Sequence, residues 1–228
     1  MSERELTGKC YLCGRSFKKS GMTRHLKSCL AARSDQGSAA GDKGFRGERF
    51  MHISIQGWRD DIYWMHVEIS TEALLYDLDR FLRDIWLECC GHLSVFTILR
   101  TRYSVDPLAE LDEEDMEVKM GEVLAPGMKF FHEYDFGTPT LLELKVISER
   151  VAPAGSESLR LLARNDPPDI ECDVCGKPAT QVCVACVYDE AGWLCDDCAR
   201  NHECGEDMLL PVVNSPRTGE CGYCGPSV

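Results

Sequence analysis

The chain has 228 residues, 44% hydrophobic and 28% charged, enough for one mid-sized core with small satellite modules. It contains no apolar run long enough to cross a bilayer, and the charged segment MSERELTGKC lacks the apolar stretch of a secretory signal. Its fourteen cysteines, many in Cys-x-x-Cys pairs, predict metal ligands in a reducing cytoplasm rather than a disulfide framework.

The net charge of −13 is unevenly distributed along the chain. Residues 1–33 carry eight Lys/Arg against two Glu, whereas residues 165–228 carry three Lys/Arg against twelve Asp/Glu. Because phosphate binding depends on Lys and Arg, any nucleic-acid contact is expected from residues 1–33 alone. A protein is the expected partner of the acidic C-terminal part.

Composition divides the chain into four parts. Residues 1–33 form a small basic module, and residues 34–47, rich in Gly, Ser and Ala, are typical of a flexible linker. Residues 48–165 contain most of the aliphatic residues and are expected to hold the main core. Residues 166–228 form a Cys-rich module that starts near the prolines of NDPPD.

The N-terminal module resembles a ββα zinc finger whose last ligand is Cys instead of His. Its motif is Cys10-x2-Cys13-x11-His25-x3-Cys29. The first pair fits a turn between two short strands, and residues four apart lie on one face of a helix, as a tetrahedral zinc site requires. The loop is one residue shorter than in the usual pattern.

The middle part predicts an α+β domain, in which one main helix packs against a mostly antiparallel sheet. The helix is read from an apolar stripe at helical spacing in STEALLYDLDRFLRDIWLECCG, with Gly91 in position for a left-handed C-terminal cap. Residues 141–151 and 158–164 are expected to pair as a closing hairpin. The other predicted strands are residues 50–55, 62–69, 92–99 and 129–134.

The C-terminal part predicts a cross-braced zinc module. The first and third pairs, Cys172/Cys175 and Cys195/Cys198, have the spacing of two zinc knuckles that close one site. Cys183 and Cys186 lie between them and begin a second site, for whose last two ligands the candidates are His202, Cys204, Cys221 and Cys224. With the finger, this gives about three Zn²⁺ ions per chain.

A metal-dependent enzyme is the alternative that the middle part leaves open. His92, Glu133 and Asp135 are its polar residues best placed to converge on a site, although the sequence shows no established catalytic motif. Cys89 and Cys90 are interpreted as small hydrophobic residues at the helix end rather than as a redox pair.

Residues 50–165 resemble the plasmid pRiA4b ORF-three-like family, also known as insertion-element passenger proteins. The resemblance rests on WLECCGHLSVF, which supplies a Trp before a His-Leu-x-x-Phe strand, and on the later Tyr-Asp-Phe-Gly at residues 134–137. The Cys-rich end is similar to that of a zinc-bearing branch. The chain departs from the family pattern after Gly137, where Thr138, Pro139 and Thr140 replace an acidic residue and a Trp. The family implies an α+β fold.

These observations favour a cytoplasmic prokaryotic zinc protein that acts as an interaction module or adaptor rather than an enzyme. A nucleic-acid-binding protein linked to a mobile element, working through the finger, is the second interpretation.

Overall fold

The computed structural model describes residues 6–37, 47–58, 61–153, 156–189 and 191–226. Within these ranges the strands are β1 Thr7–Cys10, β2 Ser16–Lys18, β3 Gly47–Gly57, β4 Trp64–Ser70, β5 Ser94–Ile98, β6 Thr101–Ser104, β7 Glu113–Asp115, β8 Lys129–Tyr134, β9 Thr140–Pro153, β10 Leu159–Asn165, β11 Gln181–Cys183, β12 Trp193–Leu194 and β13 Leu209–Pro211. The helices are α1 Lys19–Gly37, α2 Leu75–Leu82, α3 Met120–Val123 and α4 Asp196–Ala199.

Ten strands form one large sheet in the order β2-β1-β10-β4-β3-β9-β8-β5-β6-β7. Every pairing in it is antiparallel except that of β6 with β7, so the predicted α+β class is confirmed. The predicted closing hairpin is wrong, because β3 and β4 lie between β9 and β10. Strand β10 pairs instead with β1 and β4, and β9 with β3 and with its neighbour in sequence, β8. The pairings with β1, β3 and β4 join segments far apart in sequence, and no local pattern specifies them.

Helix α2 covers one face of the sheet and anchors the main core. Its buried face presents Leu75, Leu78 and Leu82 to the sheet. The helix starts later than predicted, at Leu75, where the Asp77 carboxylate accepts a hydrogen bond from the backbone N–H of Leu74. It continues as a π-helical turn over Arg83–Leu87, whose C-cap is Glu88. Gly91 has a positive φ of 75° but lies beyond that cap, so its predicted position as the C-terminal cap is wrong.

The N-terminal module lies against the opposite face and extends the sheet. Strand β1 pairs with β10, and α1 buries Met22 and Leu26 in a second core with Trp64 and Leu162. Since α1 reaches Gly37, it enters the predicted linker, and residues 38–46 of that linker fall outside the described residues. The finger is therefore docked on the central domain.

The Cys-rich part has a small sheet of its own, in the order β12-β11-β13. After β13, residues 212–226, here called the C-terminal tail, return to the central domain. Ser215 donates a hydrogen bond to the backbone oxygen of Trp86 at 2.6 Å, and the Arg217 side chain is fully buried. The tail is thus packed onto the region where the π-helical turn ends.

Among the described residues, no helix combines the length and the hydropathy that a membrane-spanning segment requires.

Candidate metal centres

A tetrahedral zinc site sets a geometric standard for its ligand atoms. With Zn–S bonds of about 2.3 Å and Zn–N bonds of about 2.0 Å, two sulfur ligands lie roughly 3.8 Å apart, and a sulfur and a nitrogen ligand roughly 3.5 Å apart. Four groups of Cys and His in the described residues bring four ligand atoms each within 4.8 Å of one another.

The finger cluster consists of Cys10, Cys13, His25 and Cys29, the four residues predicted. The strand-turn-strand of β1 and β2 supplies the first pair, and α1 begins directly after β2, so His25 and Cys29 face that turn from one side of the helix. The Cys13 Sγ lies 3.3 Å from the His25 Nε2. The shorter loop is accommodated because no residue separates β2 from α1.

Local electrostatics in the finger cluster suit a metal. A hydrogen bond from the backbone of Arg15 is the main reason that the pKa of Cys13 falls from 9.0 to about 7. Burial lowers the pKa of His25, which favours its neutral form. A thiolate and a neutral imidazole are the protonation states that bind zinc. Phe17 stacks on the His25 ring with centroids 4.0 Å apart and fixes its orientation.

The four-thiol cluster consists of Cys172, Cys175, Cys195 and Cys198. The Sγ atoms of Cys175 and Cys195 lie 3.6 Å apart, close to the edge of a zinc tetrahedron. Burial opposes ionisation of Cys172, but hydrogen bonds from backbone N–H groups, including that of Cys195, outweigh it and lower its pKa to about 6. Cys195 is also the N-cap of α4, which places Cys198 one helical turn away.

The three-thiol cluster consists of Cys183, Cys186, His202 and Cys204. The Cys186 Sγ lies 3.5 Å from both the His202 Nε2 and the Cys204 Sγ. Of the four candidate ligands that the sequence left open, His202 and Cys204 therefore lie beside Cys183 and Cys186. In sequence, Cys183 and Cys186 fall between the two pairs of the four-thiol cluster, as in the predicted cross-braced order.

Neighbouring thiols make full ionisation of these clusters unfavourable without a cation. Hydrogen bonding with Cys175 is the main cause that raises the pKa of Cys198 to about 12, and Cys204 has the same effect on Cys186. A divalent ion at the centre would reverse this effect, because coordination deprotonates thiols outright. The donor sets therefore fit structural zinc.

The bridging cluster, Cys89, Cys90, His92 and Cys221, was not predicted. The interpretation of Cys89 as a small hydrophobic residue at the helix end agrees with its packing against the main core, but Cys90 is exposed and does not fit that interpretation. The signal available in the sequence was the Cys-Cys-x-His spacing at residues 89–92. Nothing local links that segment to Cys221, which lies 129 residues beyond His92 and reaches it only through the packing of the tail.

The predicted trio of His92, Glu133 and Asp135 does not assemble. His92 and Asp135 do meet, with Nε2 and Oδ2 3.5 Å apart, beside the bridging cluster. Glu133 alternates on β8 with the buried Tyr134 and His132, so its side chain projects from the other face of the sheet. The prediction of a shared site for these three residues is wrong.

No protein-family model matches this chain, and no curated protein matches it. A comparison with solved structures finds a protein of unknown function from Methanosarcina mazei Go1, which is 13% identical to this chain in sequence. The match covers 52% of this chain and 70% of that one, with a TM-score of 0.45.

Proposed function

We propose that this protein is a zinc-stabilised interaction module of a reducing cytoplasm, whose acidic C-terminal part binds a basic protein. The finger, four-thiol and three-thiol clusters each hold one structural zinc, about three ions per chain. The proposal also relates the central domain to the plasmid pRiA4b ORF-three-like family through Trp86, His92 and the motif at residues 134–137.

The observation that carries the proposal is the surface around the three-thiol cluster. Tyr188 and Met208 are 71% and 43% exposed, although both belong to the short loops that the cluster holds together. Glu203, Glu206 and Asp207 are exposed on the same loops. Three thiolates outnumber the two charges of zinc, so metal binding leaves this surface negative. Apolar side chains on a rigid acidic surface suit a partner that combines basic and apolar residues.

Charge reversal at Glu206 and Asp207 tests the proposed surface. The zinc-loaded full chain is used as bait, and proteins crosslinked to it are identified by mass spectrometry. The variant with Glu206→Lys and Asp207→Lys is expected to lose a basic partner that the wild type captures. Glu114→Lys, an exposed reversal on β7 of the central domain, is the matched control and should retain it. Equal capture by both variants would contradict the proposed surface.

A second candidate is nucleic-acid contact through the finger. Arg24 and Lys27 remain exposed on α1 while the opposite side of the helix packs on the sheet. Replacing both with Ala should weaken salt-sensitive binding to duplex DNA, and the exposed Lys145→Ala should not. Deleting residues 1–33 is a poorer test, because it would remove the partner strand of β10. Binding that is independent of Arg24 and Lys27 would exclude this role for the finger.

A further inference from the structure

We infer that the bridging cluster is a fourth metal site, and that a thiophilic divalent cation such as zinc bound there clasps the C-terminal tail onto the central domain. Three of its ligands, Cys89, Cys90 and His92, follow the π-helical turn, whereas Cys221 comes from the tail. A metal held by all four would join two parts of the chain that are far apart in sequence.

Distances between the sulfur atoms fit coordination. The Cys90 Sγ lies 3.5 Å from that of Cys89 and 3.7 Å from that of Cys221, near the roughly 3.8 Å expected between two zinc-bound sulfurs. Both separations far exceed the bond length of a disulfide, which is about 2.05 Å. The His92 Nε2 lies 2.9 Å from the Cys90 Sγ and 3.2 Å from the Cys221 Sγ. These two edges are shorter than in a zinc tetrahedron, so the imidazole would move outward slightly on binding.

The tail brings a charged group to the cluster as well as a ligand. Arg217 is buried and donates to the Asp135 Oδ2 at 2.6 Å and to the Cys89 Sγ at 3.4 Å. The guanidinium thereby neutralises the carboxylate that lies beside His92. Docking of the tail and completion of the metal site are therefore one structural event, and each should stabilise the other.

Exposure distinguishes the bridging cluster from the other three. Each of those has a buried thiol, namely Cys10, Cys172 or Cys183, whereas none of the four bridging ligands is buried. A chelator can approach an exposed ligand set more readily. The fourth metal should therefore exchange faster than the three structural ions, which makes the clasp releasable while the zinc-held modules stay folded.

Cys224 provides a matched control for the test. It shares the Cys-Gly-Tyr-Cys motif with Cys221 and is also exposed, but it belongs to none of the four ligand groups in the described residues. The full-length wild type, Cys221→Ser and Cys224→Ser are purified anaerobically, and the zinc content of each is measured by mass spectrometry. We expect four ions per chain in the wild type, three in Cys221→Ser and four in Cys224→Ser.

Chelator kinetics and hydrogen exchange test the clasp itself. With a colorimetric chelator, the wild type and Cys224→Ser should release one zinc in a fast phase that Cys221→Ser lacks. Backbone amides of residues 212–226 should exchange about tenfold faster in Cys221→Ser than in Cys224→Ser, because the tail opens locally without unfolding the sheet.

Three outcomes overturn the inference: the same zinc content in the wild type and Cys221→Ser, the same fast phase in both, or equal protection of the tail. A wild type that holds fewer than three ions would instead contradict the structural sites of the proposed function.

Discussion

The buried ion pair between Arg217 and Asp135 offers a quantitative test of how the tail is held. The Arg217 guanidinium also donates to the Thr138 carbonyl and the Thr140 hydroxyl, each at 3.0 Å. Replacing it with Met keeps an unbranched apolar stem but leaves the Asp135 carboxylate, which is 4% exposed, without its cation. Removing one partner of a buried pair typically costs about 3–5 kcal/mol.

The lower end of that range applies to Arg217→Met. The Asp135 carboxylate still accepts hydrogen bonds from the backbone N–H groups of Gly137 and Thr138, at 3.0 and 3.2 Å, and these bonds partly stabilise its negative charge. We therefore expect the free energy of unfolding to fall by about 3 kcal/mol. Adding Asp135→Asn removes the stranded charge, so the double variant should lose less than the sum of the single losses, by about 1–3 kcal/mol.

Urea unfolding of the zinc-loaded proteins provides the measurement. The four proteins compared are the wild type, Arg217→Met, Asp135→Asn and the double variant. Tryptophan fluorescence and circular dichroism should give coincident unfolding transitions in each, which justifies comparing their free energies of unfolding. If Arg217→Met lost less than about 1 kcal/mol, or if the two substitutions were simply additive, the buried pair would not be what holds the tail.

Three further predictions concern the finger, the sheet and the metals. Gly8→Ala would press a methyl group against the backbone oxygen of Arg164 and the Trp64 ring, and should destabilise the protein by about 1–3 kcal/mol in urea unfolding. Gly21→Ala, in open space on α1, should stabilise it by about 0.5–1 kcal/mol, and the reverse order would refute the docked finger. Burial lowers the pKa of His52 to about 4 and that of His66 to about 3, so the unfolded chain binds more protons below pH 6.5. Stability should therefore fall from pH 7 to pH 5 in excess zinc, and a variant with Gln at both positions should lose less stability over that range. Equal pH dependence in the two proteins would contradict a role for the buried His52 and His66. Chelation of all zinc should abolish the protection of residues 172–204 from hydrogen exchange, whereas retained protection would mean that the module folds without metal.

The ligands of the finger and of the two zinc clusters near the C-terminus could be proposed from sequence because their geometry is local. A Cys-x-x-Cys turn brings two sulfurs to one side of a knuckle, and His25 and Cys29 are one helical turn apart wherever α1 lies. The choice of His202 and Cys204 over Cys221 and Cys224 was not local. It depended on where the tail goes after β13: the tail packs onto the central domain, so Cys221 lies beside His92 and not beside Cys186.

In the middle domain too, some features followed from neighbouring residues and others from contacts between distant segments. Apolar periodicity predicted α2 and strand β8, because a helix stripe and a strand alternation are properties of neighbouring residues. The pairing of β9 and β10 was mispredicted as a hairpin, because adjacency in sequence does not set adjacency in a ten-stranded sheet.

The sequence by itself thus determined the fold class and the ligand sets built from short spacings, since short segments bring those atoms together on their own. Only the tertiary structure decided that the finger extends the central sheet, that Glu133 faces away from His92, and that Cys221 meets Cys89 and Cys90. Each of these depends on contacts between segments more than forty residues apart. Such contacts are selected by the packing of the whole chain, which no local pattern encodes.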